Sequence, residues 1–389
     1  MTTLSPTEAP ARSLDQPTPW SRPHPRTRIG IAGAGGVASF AHIPAYGQLG
    51  LVPVALFDVS PAALDRAVAA LAATAPGATA AAPARFTSAE QFAAALPGLG
   101  LDVLDVALPS PAHHDFVALL LDVCGSQCPP LLVQKPLDQD AASARALADR
   151  AAALGVPMAV NLNGRWVPPF RKAAELLAQG VVGDAPLVSL VNRGLNRKTG
   201  TEWRSRVTRL IGYEMAIHHV DLLRWIFGPV SSVYSVVRHV PGLGVEADNA
   251  AVVTLRFASG AVANLIEDWT CRDEGVWHYH PEGEQLVVSG PKGTLVATPQ
   301  ELRLTTDLVE HRYTTKRAWF PDAFAGPMAE FLAALAEGRD TELAADRHVE
   351  VLEILDAVYE SSRTGESVRP GPAADDERAG AAPAQGAAR

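Results

Sequence analysis

The spacing of apolar and polar positions along the chain changes period several times, and each change marks an element. Residues 29–32 form a short apolar run, and further runs follow at 51–57, 101–108, 130–133 and 157–162. Segments with helical spacing lie between them, at 61–73 (Leu64, Val68, Leu71), 88–96, 113–123 and 141–154. Short apolar runs alternating with helix-length segments predict a doubly wound parallel sheet, in which ligands bind beyond the carboxyl ends of the strands. A further helix at 170–179 ends at Gly180. The pattern then shifts to strands at 186–192, 233–238, 250–257, 261–268, 284–289, 294–298 and 301–305, with turns at 258–260 and 290–293. This half reads as an open, largely antiparallel sheet. Helices are predicted at 211–227, stopped by Gly228-Pro229, and at 327–337 and 344–363.

A length of 389 residues suits about two domains. The expected division is a disordered tail at 1–26, a dinucleotide-binding domain at 27–160, a substrate and oligomerisation domain at 161–370, and a second disordered tail at 371–389. The tails are rich in Pro, Ser and Thr, and in Ala, Gly and Pro, respectively. The alanine-rich stretch 72–84 reads as a loop. Composition narrows the class: with 48% hydrophobic and 19% charged residues the chain is globular. No apolar run reaches the ~18 residues that span a bilayer, so no membrane partner is expected and the default location is cytoplasmic. The net charge of −9 argues against nucleic acid as a partner. Three cysteines, Cys124, Cys128 and Cys271, lack zinc-like spacing and read as ordinary thiols.

The candidate chemistry begins directly after the first apolar run. Gly33-Ala34-Gly35-Gly36-Val37-Ala38 is G-x-G-x-x-A, a form of the Rossmann fingerprint. Gly33 permits the tight turn out of the strand, Gly35 lets the backbone approach a pyrophosphate, and Ala38 lets the following helix pack close to the sheet. The phosphates then lie at a helix N-terminus, where free N–H groups favour an anion. The second run ends in Asp58, twenty residues past Ala38, where a carboxylate accepts from ribose hydroxyls. Asp58 repels a 2′-phosphate, and Val59 and Ser60 offer no arginine to hold one, so NAD is favoured and NADP is the second choice. The fold class is therefore α/β, an N-terminal Rossmann doubly wound sheet followed by a C-terminal α+β domain with an open, mainly antiparallel sheet.

Two further features carry possible chemistry. Lys135, in Gln134-Lys135-Pro136, stands at the carboxyl end of the fourth strand, where the nicotinamide should lie. On the predicted helix 211–227, Glu214 and His218 are four residues apart and share a face, so the acid can orient the ring. His278-Tyr279-His280 lacks a nearby carboxylate or third histidine in helical register, and no metal is expected. The polar stretch 193–209 and the segment 271–284, with Trp277, are expected to shape the pocket.

Together these pieces resemble the Gfo/Idh/MocA oxidoreductase family, the glucose-fructose oxidoreductase and inositol dehydrogenase group, over about residues 27–370. The likeness rests on Gly33 to Ala38; on Pro109-Ser110-Pro111-Ala112-His113 against T-P-N-x-x-H; and on Gln134-Lys135-Pro136 against E-K-P. It rests also on Asn163-Gly164-Arg165-Trp166-Val167-Pro168 against N-x-R-F-x-P, and on Glu214 to His218, with Asp221-Leu222-Leu223 following, against D-x-x-x-H with x-x-D-L-L. The resemblance implies hydride transfer between NAD(P) and a sugar or cyclitol carbon, and a homodimer or homotetramer through the C-terminal sheet. It makes His218 the general acid/base, with Glu214 beside it and Lys135 on the reacting oxygen. The cofactor is expected at Gly33, Gly35, Gly36, Val37, Asp58, Pro109, Ser110, His113 and Lys135, and the substrate at Asn163, Arg165, Trp166 and His219. Gln134 and Glu214 depart from the family's glutamate and aspartate. Two other readings share this fold: a lyase or hydrolase that recycles NAD through transient oxidation, and a sensor of sugars or dinucleotides without catalysis.

Overall fold

The computed structural model of the chain describes residues 7–15, 23–74, 82–196, 207–272, 283–317 and 319–371. Two short strands come first, β1 (Thr7–Glu8) and β2 (Arg12–Ser13). The first lobe follows, built on β3 (Ile29–Ala32), β4 (Ala55–Phe57), β5 (Ala84–Phe86), β6 (Val103–Val106), β7 (Leu131–Gln134) and β8 (Met158–Asn161). These six pair in the order β5-β4-β3-β6-β7-β8, all parallel. Helices α1 (Ile43–Gln48), α2 (Pro61–Thr74), α3 (Ala89–Leu99), α4 (His113–Cys124) and α5 (Ala141–Ala153) connect them. The order reverses between β3 and β6, and that switch point is where a doubly wound sheet opens a crevice for a ligand. Every residue of β3, β6 and β8 is buried, which explains why they are apolar apart from Asp105 and Asn161. Polar side chains set the helix starts: the Ser88 hydroxyl accepts from Gln91 N at 3.2 Å, and the Asp140 carboxylate accepts from Ser143 N at 2.8 Å.

The second lobe carries α6 (Pro168–Ala178), β9 (Leu187–Arg193), α7 (Ile217–Phe227), β10 (Val230–Arg238), β11 (Ala250–Phe257) and β12 (Val262–Asp268). It continues with β13 (Glu284–Gly290), β14 (Gly293–Ala297), β15 (Glu301–Thr305), β16 (Val309–Thr314), α8 (Ala325–Glu337) and α9 (Ala345–Thr364). Its sheet runs β1-β16-β15-β14-β13-β9-β12-β11-β10, with β2 also on β16. The pairing is mainly antiparallel; β9 with β12, and β16 with both N-terminal strands, are the parallel exceptions. Helix α9 joins the lobes. It caps the edge strand from below, with Ser235 N donating to Ser361 Oγ at 3.0 Å, and it reaches the first lobe where Leu137 N donates to His348 Nε2 at 3.1 Å. Among the described residues no helix is long and apolar enough to cross a membrane.

The structure departs from the sequence pattern in four places. Part of the expected N-terminal tail adds to the sheet edge: β1 and β2 pair with β16, and Asp15 Oδ1 accepts from Thr315 Oγ1 at 2.6 Å. Main-chain hydrogen bonds need no apolar side chain, so composition gave no sign of it. Strand β5 falls at the end of the stretch read as a loop. It is a partly exposed three-residue edge strand with no apolar run to announce it. Strand β16 also went unassigned, because polar Glu310, His311 and Arg312 interrupt its alternation. Finally, two predicted helices begin as widened turns, Ala38–His42 and Gly212–Ala216, in which Ile43 N and Ile217 N donate five residues back. Residues 1–6, 16–22, 75–81, 197–206, 273–282, 318 and 372–389 lie outside the described set. They include most of the expected C-terminal tail and of two pocket segments, with Trp277 and His278-Tyr279-His280.

Candidate active site

The carboxyl ends of the parallel strands open onto a cavity of about 530 Å³ that the second lobe closes from the other side. From the first lobe it is lined by Gly33, Gly35, Gly36, Val37, Phe40, His42, Asp58, Val59, Pro109, Ser110, Gln134, Lys135 and Asn163, among others. The glycine loop fits a dinucleotide. A Cβ on Gly33, at φ +98°, would meet the Ala107 carbonyl carbon at 2.6 Å, so only glycine makes this turn. A Cβ on Gly35 or Gly36 would meet nothing within 4 Å, leaving open space over the backbone for phosphates. Asp58 stands at the tip of β4, its Oδ2 accepting from Ala34 N at 2.9 Å and its Oδ1 from Ser60 N at 2.8 Å. Asp58 is thereby tied to the glycine loop.

Lys135 follows β7, and the Lys135-Pro136 peptide is cis. Its ammonium donates to the backbone carbonyl of Glu214 at 2.8 Å and lies 3.6 Å from the Glu214 carboxylate. Glu214 belongs to the widened turn that precedes α7. That turn is anchored from behind: Asp248 Oδ1 accepts from Ile211 N at 2.6 Å, and Gly212 N donates to Tyr359 Oη at 3.1 Å. Burial pushes the Asp248 carboxyl up to about 6. His218, in the first turn of α7, also lines the cavity, with its ring edge-on to Trp319 at 5.5 Å between centroids and 77° between planes. The lysine, the acid and the histidine thus come from both lobes to one cavity. The sequence assigns Glu214 to the histidine alone; the structure brings Lys135 onto the same carboxylate.

Other expected site residues lie elsewhere. His113 is fully buried and tied at both ring nitrogens, Nδ1 to Pro136 O at 2.7 Å and Nε2 to Leu108 O at 2.8 Å. It fastens two strand-end loops together instead of lining the cavity, and burial holds its pKa below the usual histidine value. Arg165 is 3% exposed and clamps Asp221 through two nitrogens, with Nε to Oδ2 at 2.7 Å. Trp166 is 3% exposed, and its indole lies where a Cβ on Gly326 would be. These two hold the lobes together away from the substrate side. Breaking such a buried ion pair on one side costs about 3–5 kcal/mol. Arg165→Met should therefore lower the free energy of unfolding by that amount in chemical denaturation. His219 is 1% exposed, pointing into the sheet between Glu267 and Glu284. Asn163 does line the cavity.

Several lining residues were not foreseen. His42 sits at the end of the first widened turn, with Nδ1 on Asp105 Oδ2 at 2.6 Å and Nε2 on the Gln134 amide at 3.1 Å; Tyr46 Oη donates to the same Asp105 oxygen at 2.8 Å. Asp105 in the middle of an otherwise apolar strand was the available signal, since a buried carboxylate needs partners. Asn196, Met215, Trp269, Trp319, Phe320 and Phe324 supply the second lobe's wall. They come from loops and turns, where apolar periodicity says nothing.

A doubly wound lobe whose glycine loop opens onto a cavity walled by a second lobe, with a lysine and a histidine in the wall, defines a two-domain, nicotinamide-dependent oxidoreductase. Residues 170–296 match the model of the GFO/IDH/MocA C-terminal domain. The chain is 25% identical to D-apiose dehydrogenase of Paraburkholderia graminis over 290 residues, 71% of this chain and 75% of that protein. It is 23% identical to inositol 2-dehydrogenase of Rhizobium meliloti over 358 residues, 86% of this chain and 96% of that protein. Levoglucosan dehydrogenase, solved in complex with NADH and L-sorbose, shares the fold with a TM-score of 0.74 at 18% identity, over 89% of this chain and 99% of that one. The chain thus matches the Gfo/Idh/MocA family in its C-terminal domain and resembles its dehydrogenases over most of its length.

Proposed function

We propose that the protein is an NAD(P)-dependent oxidoreductase that moves a hydride between nicotinamide and a secondary alcohol or ketone carbon of a sugar, sugar derivative or cyclitol. The observation that carries this reading is the convergence of Lys135, Glu214 and His218 on the cavity that the glycine loop and Asp58 also line. The dehydrogenases it resembles act on apiose and inositol by name, which supports a polyol substrate. When bound, the nicotinamide supplies the hydride acceptor. The chain's own residues handle the proton: His218 takes it from the hydroxyl, and the Lys135 ammonium donates a hydrogen bond to the same oxygen as negative charge develops there. Glu214 holds the ammonium in place through both its carbonyl and its carboxylate. Asp58, followed by Val59 and Ser60, favours NAD over NADP. Glycine-loop residues with Val37, Pro109 and Ser110 would hold the cofactor, and Asn163 the substrate. A cytoplasmic place of action suits three cysteines that are all free thiols. The test is a panel of pentoses, hexoses and cyclitols assayed with both NAD⁺ and NADP⁺ for near-ultraviolet absorbance of the reduced cofactor. Failure of every member to reduce either cofactor would contradict the reading.

The reading includes a homo-oligomer joined through the second sheet. The outer face of that sheet carries an apolar row across four adjacent strands, Val236, Val252, Ile266 and Val191, in direct register. Val236 is 45% and Val252 51% exposed, with Tyr234 beside them at 47%. A second copy of the same face would cover the row. Val252→Glu should shift the protein to a smaller species in light scattering while leaving its circular dichroism unchanged. An unchanged mass would place any contact elsewhere.

A further inference from the structure

Three strand ends put polar side chains in phase with the core. Asn192 on β9 is the register partner of both Glu267 on β12 and Glu284 on β13, so the two glutamates flank it on the inner face of the sheet. All three are buried. His219 rests on this row, its Nδ1 against a Glu267 oxygen and its Nε2 on Glu284 Oε1 at 3.0 Å. Ionised carboxylates only accept, so facing two of them both ring nitrogens would donate as an imidazolium, although burial raises the pKa of Glu267. Burial opposes that charge, but the two acids prevail and hold the ring's pKa up at about 10. An apolar trio of the same volume is commonly as stable as a buried charged one, so stability alone does not account for the row.

The second oxygen of Glu284 indicates what the row is for. Oε2 accepts from the Trp319 indole nitrogen at 2.8 Å. Trp319 lines the cavity, and its ring meets the His218 ring edge-on. The indole also bears on the helix entry opposite, since a Cβ on Gly164 would come within 3.1 Å of it. The His218 ring is therefore flanked by an indole that the charged row fixes.

We propose that Glu284 is a positioning residue for the active site: by holding the Trp319 indole, it sets the orientation in which the His218 ring meets substrate. The inference rests on the reading of His218 as the base. Glu284 touches no reacting atom and acts through Trp319.

The test is a double-mutant cycle of E284Q and W319F with two readouts. The first needs no substrate. In apo protein labelled with ¹⁵N-histidine, E284Q should move the His218 ring resonances in the wild-type background and leave them unmoved in the W319F background, because the link is already cut. The buried His348 serves as the control that should not respond. The second readout is turnover with whichever panel member the wild-type enzyme oxidises. Each single variant should lose on the order of tenfold in kcat, the scale at which a misplaced group shows, with the circular dichroism of the fold retained; E284Q, which takes one carboxylate from the buried His219, should also melt at a lower temperature. The double variant should be no worse than either single. Additive losses, or His218 resonances that respond to E284Q equally in both backgrounds, would overturn the role of Trp319 as the link. A wild-type enzyme that oxidises no polyol would instead strike at the reading of His218 and take this inference with it. Turnover in the wild type that E284Q and W319F leave untouched overturns the inference alone.

Discussion

His218→Ala should lose turnover by about 10²- to 10⁴-fold, the usual contribution of a positioned general acid/base, while NADH still binds. The argument is one of place. Oxidising a secondary alcohol requires a group to accept the hydroxyl proton while the hydride leaves the carbon. Among the described lining residues, His218 offers an imidazole in the first turn of α7, on the wall contributed by the second lobe. The glycine loop and Asp58 belong to the first lobe and this ring to the second, so fluorescence titration with NADH should give an unchanged affinity. A variant that keeps turnover would mean that another group takes the proton. His42, on the opposite wall, is the one to examine next, with Asp105 already on its Nδ1.

Lys135→Ala should cost about 10²- to 10³-fold in kcat, as expected when one charge-stabilising donor is removed from a water-poor site. The Lys135 side chain is only 13% exposed and its ammonium is already oriented by the Glu214 carbonyl and carboxylate, so little reorganisation is needed when an oxygen next to it gains charge. Lys135→Arg should not restore the rate. A planar guanidinium cannot place a compact charge at the same point, and its fork would engage Glu214 differently. Measuring kcat and KM separately tells the two roles of the lysine apart. Loss confined to KM would make it a binding group with no share in the transition state.

How much of this was legible in the sequence follows from what each residue does. The first lobe was readable because β3, β6 and β8 are buried on both faces and show as largely apolar runs, and because Gly33 is required by a backbone collision that no other residue survives. The second sheet was readable by its alternation, except in β16, where charges interrupt it. Lys135 and Asp58, at strand ends, both line the cavity, as the topology leads one to expect. Residues assigned by motif position fared unevenly. Asn163 reaches the cavity, whereas Arg165, two residues on, turns to Asp221, and His219, one residue past His218, faces the sheet. Adjacent residues on a helix point about 100° apart, so nearness in sequence to a site residue says little about which wall a side chain serves. Trp319 and Phe320 lay beyond reach because they stand in a loop whose course is set by tertiary contacts, the Glu284 acceptor among them. The widened turns at residues 38–42 and 212–216 have no periodic signal either, and both adjoin the cavity.

The claim at the centre is that a carbon-bound hydrogen of a polyol passes to the nicotinamide inside one cavity shared by Lys135 and His218. The most direct measurement is mass spectrometry of the cofactor after incubation of the protein with NAD⁺ and sugars or cyclitols carrying deuterium on carbon. The account predicts reduced cofactor bearing one deuterium on the nicotinamide ring, formed by the wild type and largely lost in the Lys135→Ala and His218→Ala variants. Reduced cofactor without deuterium, or labelling that both variants support at the wild-type rate, would contradict it.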